Sequence, residues 1–98
     1  MKKLDNIKDF DNIISKRSVV DFYADWCGPC KMLEPVIEEV SSEHSDIDFI
    51  SVNVDDFRDL AKKYGVMSIP CVKVFDDGKE VKSSVGFMSK SELEEFIK

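Results

Sequence analysis

Of the three cysteines in this 98-residue chain, Cys27 and Cys30 are separated only by Gly28 and Pro29. The run before them, Ser18-Val19-Val20-Asp21-Phe22-Tyr23-Ala24, is apolar and β-rich and reads as a buried strand, while the run after them has helical periodicity. The pair therefore sits where a strand passes into a helix. Unpaired amides and the positive end of the helix dipole favour thiolate over thiol there, which makes Cys27, at the outer side of the turn, the better-placed nucleophile. Gly28 and Pro29 let the chain turn tightly and enter the helix with a preset φ, bringing both sulfurs within bonding reach. The chemistry this spacing offers is a dithiol that closes to a disulfide and opens again. A structural disulfide and half of a zinc site are the other readings. Zinc has little support, because the remaining ligand candidates are Cys71 and the lone His44, at no ligand-like spacing. The motif and its strand-to-helix setting together favour redox chemistry.

Asp21 is the second residue that chemistry would notice. An unpaired carboxylate in a dry strand tends to take up a proton, so a functional reason for it is favoured over a structural one. Trp26, just before the turn, reads as a lid that shapes a docking surface rather than as core filling. His44 reads as a solvated residue near a helix end. Cys71 reads as a small buried hydrophobe in a strand, with a third redox centre or a site of glutathione attachment as the less favoured roles.

The elements that must position these groups follow from periodicity. Asn6 or Asp5 caps a helix over 7–16, with Ile7, Phe10, Ile13 and Ile14 at helical spacing. After the cysteines, Met32, Leu33, Val36, Ile37 and Val40 mark the longest helix, reaching about residue 43, with a kink expected at Pro35. A second strand spans 47–54, and a helix from about Phe57 to Tyr64 stops at Gly65. The last third is a β-hairpin, 71–75 and 80–85 around Asp76-Asp77-Gly78-Lys79. A final helix is capped by Ser89, with Leu93, Phe96 and Ile97 on its apolar face. Helices alternating with strands, then a hairpin and a closing helix, imply an α/β fold: a central mixed sheet of four to five strands flanked by about four helices.

Composition bounds the rest. Hydrophobic residues at 43% and charged residues at 35% suit one folded domain, 1–98. Fourteen basic against twenty acidic side chains give a net charge of -6, a field that repels phosphate backbones and anionic lipid, so nucleic acid and membrane surfaces are poor partners. No apolar signal-like segment follows Met1-Lys2-Lys3, and a cytoplasmic chain is expected.

These residues carry a resemblance. Val20-Asp21-Phe22, Trp26-Cys27-Gly28-Pro29-Cys30-Lys31, Pro35, Val54-Asp55, Tyr64-Gly65-Val66, Ile69-Pro70, Phe75, Asp77-Gly78 and Val85-Gly86 together resemble the thioredoxin family. The resemblance implies a thioredoxin fold and a protein thiol-disulfide oxidoreductase needing no cofactor beyond its cysteine pair. In that cycle Cys27 attacks a target disulfide and Cys30 resolves the mixed disulfide. It also implies that Asp21 accepts the Cys30 proton and that Ile69-Pro70, otherwise readable as an ordinary turn, is a cis-proline loop. The backbone of Ile69 would pair with extended substrate, and Trp26, Gly28, Pro29, Pro70, Val85 and Gly86 would complete the substrate surface. Implied partners are a thioredoxin reductase as electron donor and disulfide-bearing targets such as ribonucleotide reductases, peroxiredoxins and methionine sulfoxide reductases, met by a monomer. Glutathione is the alternative donor, and a non-catalytic scaffold is disfavoured because both cysteines are present. The chain departs from the family pattern at Ser51, where many bacterial members carry a lysine. It departs also at Tyr23 for tryptophan, Cys71 for threonine, and Phe87 for a smaller residue.

Overall fold

In the computed structural model, which describes all of residues 1–98, the apolar run before the cysteines becomes the middle of a five-stranded sheet. The strands are β1 (Lys2–Lys3), β2 (Ser18–Tyr23), β3 (Asp48–Asn53), β4 (Cys71–Asp76) and β5 (Lys79–Val85), in the order β1-β3-β2-β4-β5. β1 and β2 run parallel to β3, and the β4–β5 hairpin joins antiparallel to β2. β2 is buried on both faces, which explains a run that is apolar throughout instead of alternating. β1 is unforeseen: two exposed lysines are too short to form a pattern, and only their register with Ile50 and Ser51 makes them a strand.

Each face of the sheet carries its own core. On one side Val20, Phe22, Ile50, Val52, Cys71 and Phe75 meet Phe10 and Ile14 of α1 (Phe10–Ile14) and Leu60 and Ala61 of α3 (Arg58–Lys63). On the other, Val19, Phe49, Val72 and Val74 meet Leu33, Ile37 and Val40 of α2 (Gly28–Ser42) and Leu93 of α4 (Lys90–Phe96). This is the anticipated mixed sheet covered on both faces.

Several boundaries differ for local reasons. The expected helix over 7–16 is a 3-10 turn at Ile7–Asp9 followed by α1, with the Asn6 side chain, not Asp5, capping it by accepting from the Lys8 amide at 2.9 Å. It stops at Ile14, where the Ser15 hydroxyl donates to the Asn12 carbonyl at 2.6 Å and draws the chain out of the helical ladder. α2 continues through Pro35. Met32, placed on the apolar stripe, is 64% exposed, so the buried face of α2 is Cys30, Leu33, Ile37 and Val40. α3 closes with paired bonds from Val66 to Ala61 (2.9 Å) and Gly65 to Lys62 (3.1 Å), the Schellman pattern that satisfies the last carbonyls. In the hairpin, Asp77 and Gly78 both have positive φ, as a two-residue type I′ turn requires, and the pairing slips between Val74 and Phe75, leaving Val81 as an extra residue in β5.

α4 opens with a reciprocal cap: the Ser89 hydroxyl accepts from the Glu92 amide at 3.2 Å, and the Glu92 carboxylate accepts from the Ser89 amide at 2.9 Å. Ser89→Ala is expected to lower the unfolding free energy by about 1 kcal/mol, read as an earlier urea midpoint with unchanged slope. An unchanged midpoint would show that packing of Leu93 alone holds the helix.

Candidate active site

β2 ends at Tyr23, the chain turns through Ala24, Asp25 and Trp26, and α2 begins at Gly28. Cys27 is the residue between, extended at φ -93° and ψ 110°, and it caps the helix with its own sulfur: Sγ accepts from the Cys30 amide at 3.2 Å. The charge preference read from the sequence thus has a specific donor. Cys27 and Cys30 are joined by a disulfide with Cα atoms 5.2 Å apart. Both are buried, and they pack with Ala24, Tyr23, Val54 and Ile69.

The structure brings most of the expected substrate residues around this disulfide. Ile69 packs directly on the cysteine cluster, and its peptide bond to Pro70 is cis. The Pro70 carbonyl accepts from the Gly86 amide at 2.8 Å, tying the two loops together. Gly86 has φ +100°, a conformation that disfavours any side chain there. Trp26 is 71% exposed and Val85 62% exposed, so neither fills the core. Trp26 is nevertheless held in place, its indole nitrogen donating to Asp55 Oδ2 at 2.9 Å. Asp55 is oriented in turn by buried Asn53, whose Oδ1 accepts the Asp55 amide at 2.9 Å.

Asn53, Glu34 and Met67 are the residues sequence reasoning missed. A buried asparagine at a strand end could have been flagged; Met67, 95% exposed in the loop before Ile69, carries no periodic signal. Cys71 is buried in the core on β4, its sulfur 3.7 Å from the Ser83 hydroxyl. His44 is paired, its Nε2 lying 2.8 Å from Glu94 Oε2, far along the chain from the cysteines. No cluster of histidine, cysteine and carboxylate side chains has the arrangement of a metal site, and no helix is long and apolar enough to cross a membrane.

Asp21 lies beneath the disulfide. Its partner in the sheet is Ser51, and it lines a cavity of about 220 Å³ with Cys30, Glu34 and Ser51. It is 3% exposed, and its Oδ1 accepts no hydrogen bond. Burial, and after it the neighbouring Glu34 carboxylate, push the Asp21 carboxyl up from an ordinary 3.8 to about 7.

The architecture and this site can be set beside known proteins. The family model described as Thioredoxin matches residues 2–98. The chain is 44% identical over 100 residues to thioredoxin of Mycoplasmoides gallisepticum, covering all of both chains. It is 48% identical over 80 residues to thioredoxin of Bacillus subtilis, covering 81% of this chain and 77% of the relative. Among solved structures it resembles the oxidised mitochondrial thioredoxin 3 of Saccharomyces cerevisiae, with a TM-score of 0.90, 34% identity and coverage of 99% of this chain and 92% of that one.

The raised pKa of Asp21 has a stability consequence of definite sign. Between 3.8 and about 7 the native state holds a proton that the unfolded chain has released, so stability falls as pH rises through that window and stays lower above it. Asp21→Asn should therefore gain on the parent protein with rising pH, by a few kcal/mol in all, on the order of 4 at most. Urea unfolding at pH 5, 7 and 9 measures it. A difference that stays constant across that range would mean Asp21 titrates as an ordinary aspartate.

Proposed function

The chain belongs to the thioredoxin family and is a protein thiol-disulfide oxidoreductase acting through Cys27 and Cys30, and from that premise we propose how its residues divide the work. The observation that carries the assignment is the Cys30 amide donating to Cys27 Sγ at the first turn of α2. A sulfur in that position is stabilised as thiolate. Cys27 attacks one sulfur of a target disulfide, forms a mixed disulfide and expels the other target sulfur as thiolate. Cys30 then gives its proton to Asp21 and attacks Cys27 Sγ. The Cys27–Cys30 disulfide closes, the second target sulfur leaves as thiolate, and two electrons have passed to the target, whose thiolates take up protons from solvent.

Trp26, Gly28, Pro29, Ile69, Pro70, Val85 and Gly86 receive the target. An extended segment pairs with the backbone of Ile69, passes over Gly86, where no side chain intrudes, and rests on Trp26 and Val85. The exposure of Trp26 and Val85 and the bond between the Pro70 and Gly86 loops support this reading. The cycle needs no cofactor beyond the cysteine pair.

Reducing equivalents come from a thioredoxin reductase, and the targets include enzymes such as ribonucleotide reductases, peroxiredoxins and methionine sulfoxide reductases. The protein works as a cytoplasmic monomer, residues 1–98 being one functional domain. Reduction of a generic protein disulfide, driven in parallel by NADPH with a thioredoxin reductase and by glutathione with its reductase, tests the donor; turnover sustained only by glutathione would replace it.

Cys30→Ser is expected to keep the attack and lose the resolution, so that mixed disulfides with target proteins accumulate through Cys27. Peptide mapping of the trapped species reads this, and trapping through Cys71 would overturn the assignment. Cys71→Thr, by contrast, should retain reductase activity within about twofold, because a thiol at the start of a strand gains no helix amides to ionise it. A large loss with the fold intact would give Cys71 a part in the chemistry.

A further inference from the structure

We propose that Glu34 is the partner of Asp21 in a two-carboxylate proton route, Asp21 taking the Cys30 proton inside the cavity and Glu34, at its mouth, passing it to solvent. The proposal rests on the reading of Asp21 as the proton acceptor and adds to it the way out. A buried acceptor that cannot discharge would serve once. Asp21 is buried with one carboxylate oxygen unpartnered, and it lines a cavity together with Cys30 and Glu34. Glu34 is exposed and lies one helical turn beyond Cys30, the i, i+4 relation that sets two side chains on one strip of α2. The cavity has room for a short chain of water between the carboxylates.

The other titratable groups around this space are few. Tyr23 and Asp25 face it from the β2 side, Lys31 joins Glu34 from α2, and β3 contributes only the uncharged Ser51. From β1, Lys3 lies against Tyr23, whose hydroxyl holds the ammonium above the usual lysine range. Of the three carboxylates on this cavity, Glu34 and not Asp25 is the charge that acts on Asp21, and it strengthens Asp21 as a base. The balance is simple. Cys30 S–H loses its proton to Asp21, the Cys30 thiolate forms the bond to Cys27 Sγ as the bond to the target sulfur breaks, and the Asp21 proton leaves through Glu34.

The test uses the intact protein carrying a disulfide-linked peptide on Cys27, with peptide release followed from pH 5 to 9, beside the carboxyl NMR titration of Asp21. In Glu34→Gln both the acid limb of release and the Asp21 midpoint should move down by about half a pH unit, a threefold change in proton affinity. Glu34→Lys should move them further in the same direction, and Asp25→Asn should move neither. In an Asp21→Asn background the Glu34 substitutions should leave the release profile unaltered. Unmoved midpoints, or an equal shift from Asp25→Asn, would overturn the role of Glu34 while leaving Asp21 as acceptor. A shifted Asp21 titration with an unmoved release profile would overturn the acceptor role itself, and the route with it.

Discussion

One residue has to end a buried strand and start a helix at the same time, and the rest of the molecule is arranged around that demand. Cys27 stays extended while its sulfur takes the Cys30 amide. The helix it caps must then run back over the face of the sheet that carries Val19 and Asp21, because β2 is central and both its faces need cover. Placing Cys30 on the inner side of α2 sets it above Asp21 as a matter of geometry. β3 runs parallel to β2, so its end arrives at the same edge of the sheet and delivers Asn53 and Asp55 to Trp26. The functional residues gather where parallel strands finish, as in other open sheets of this class.

Asp21 breaks the consistency that the interior of β2 otherwise keeps. Every other position of β2 is apolar or lies at an end of the strand, while this one buries a carboxylate without a complete set of hydrogen bonds. In a protein without chemistry to perform, valine at this position would be the more stable choice. The destabilisation is confined to conditions in which the group is charged. The fold tolerates this buried carboxylate beside Cys30 because two full cores lie on either side of the sheet.

Much of this was legible before any coordinates. The strand-to-helix placement of Cys27 and Cys30, the capping of α4 by Ser89 and the Asp77-Gly78 turn are local matters, written in a few adjacent residues, and they appear as read. The oddity of Asp21 was visible as well, because one charged residue in an apolar run needs no third dimension to be noticed. What escaped depended on partners far along the chain. β1 exists only through its register with β3. Asn53 matters through Asp55 and Trp26, and Glu34 through a cavity floored by a strand thirteen residues earlier. Met32 was misplaced because it sits at the edge of the apolar arc of α2, about 100° round from Leu33, and periodicity alone does not say how wide a strip the sheet covers.

The margins of the sheet have a meaning of their own. On one side stands a strand of two lysines; on the other, β5 is lined with Lys79, Glu80 and Lys82 and displaced by the extra residue at Val81. Short length, charge and a bulge are the devices by which open sheets avoid recruiting a passing chain, since each spoils the flat row of amides and carbonyls that templates aggregation. The sheet therefore begins with refusal: an extended polypeptide finds poor purchase on either of its borders.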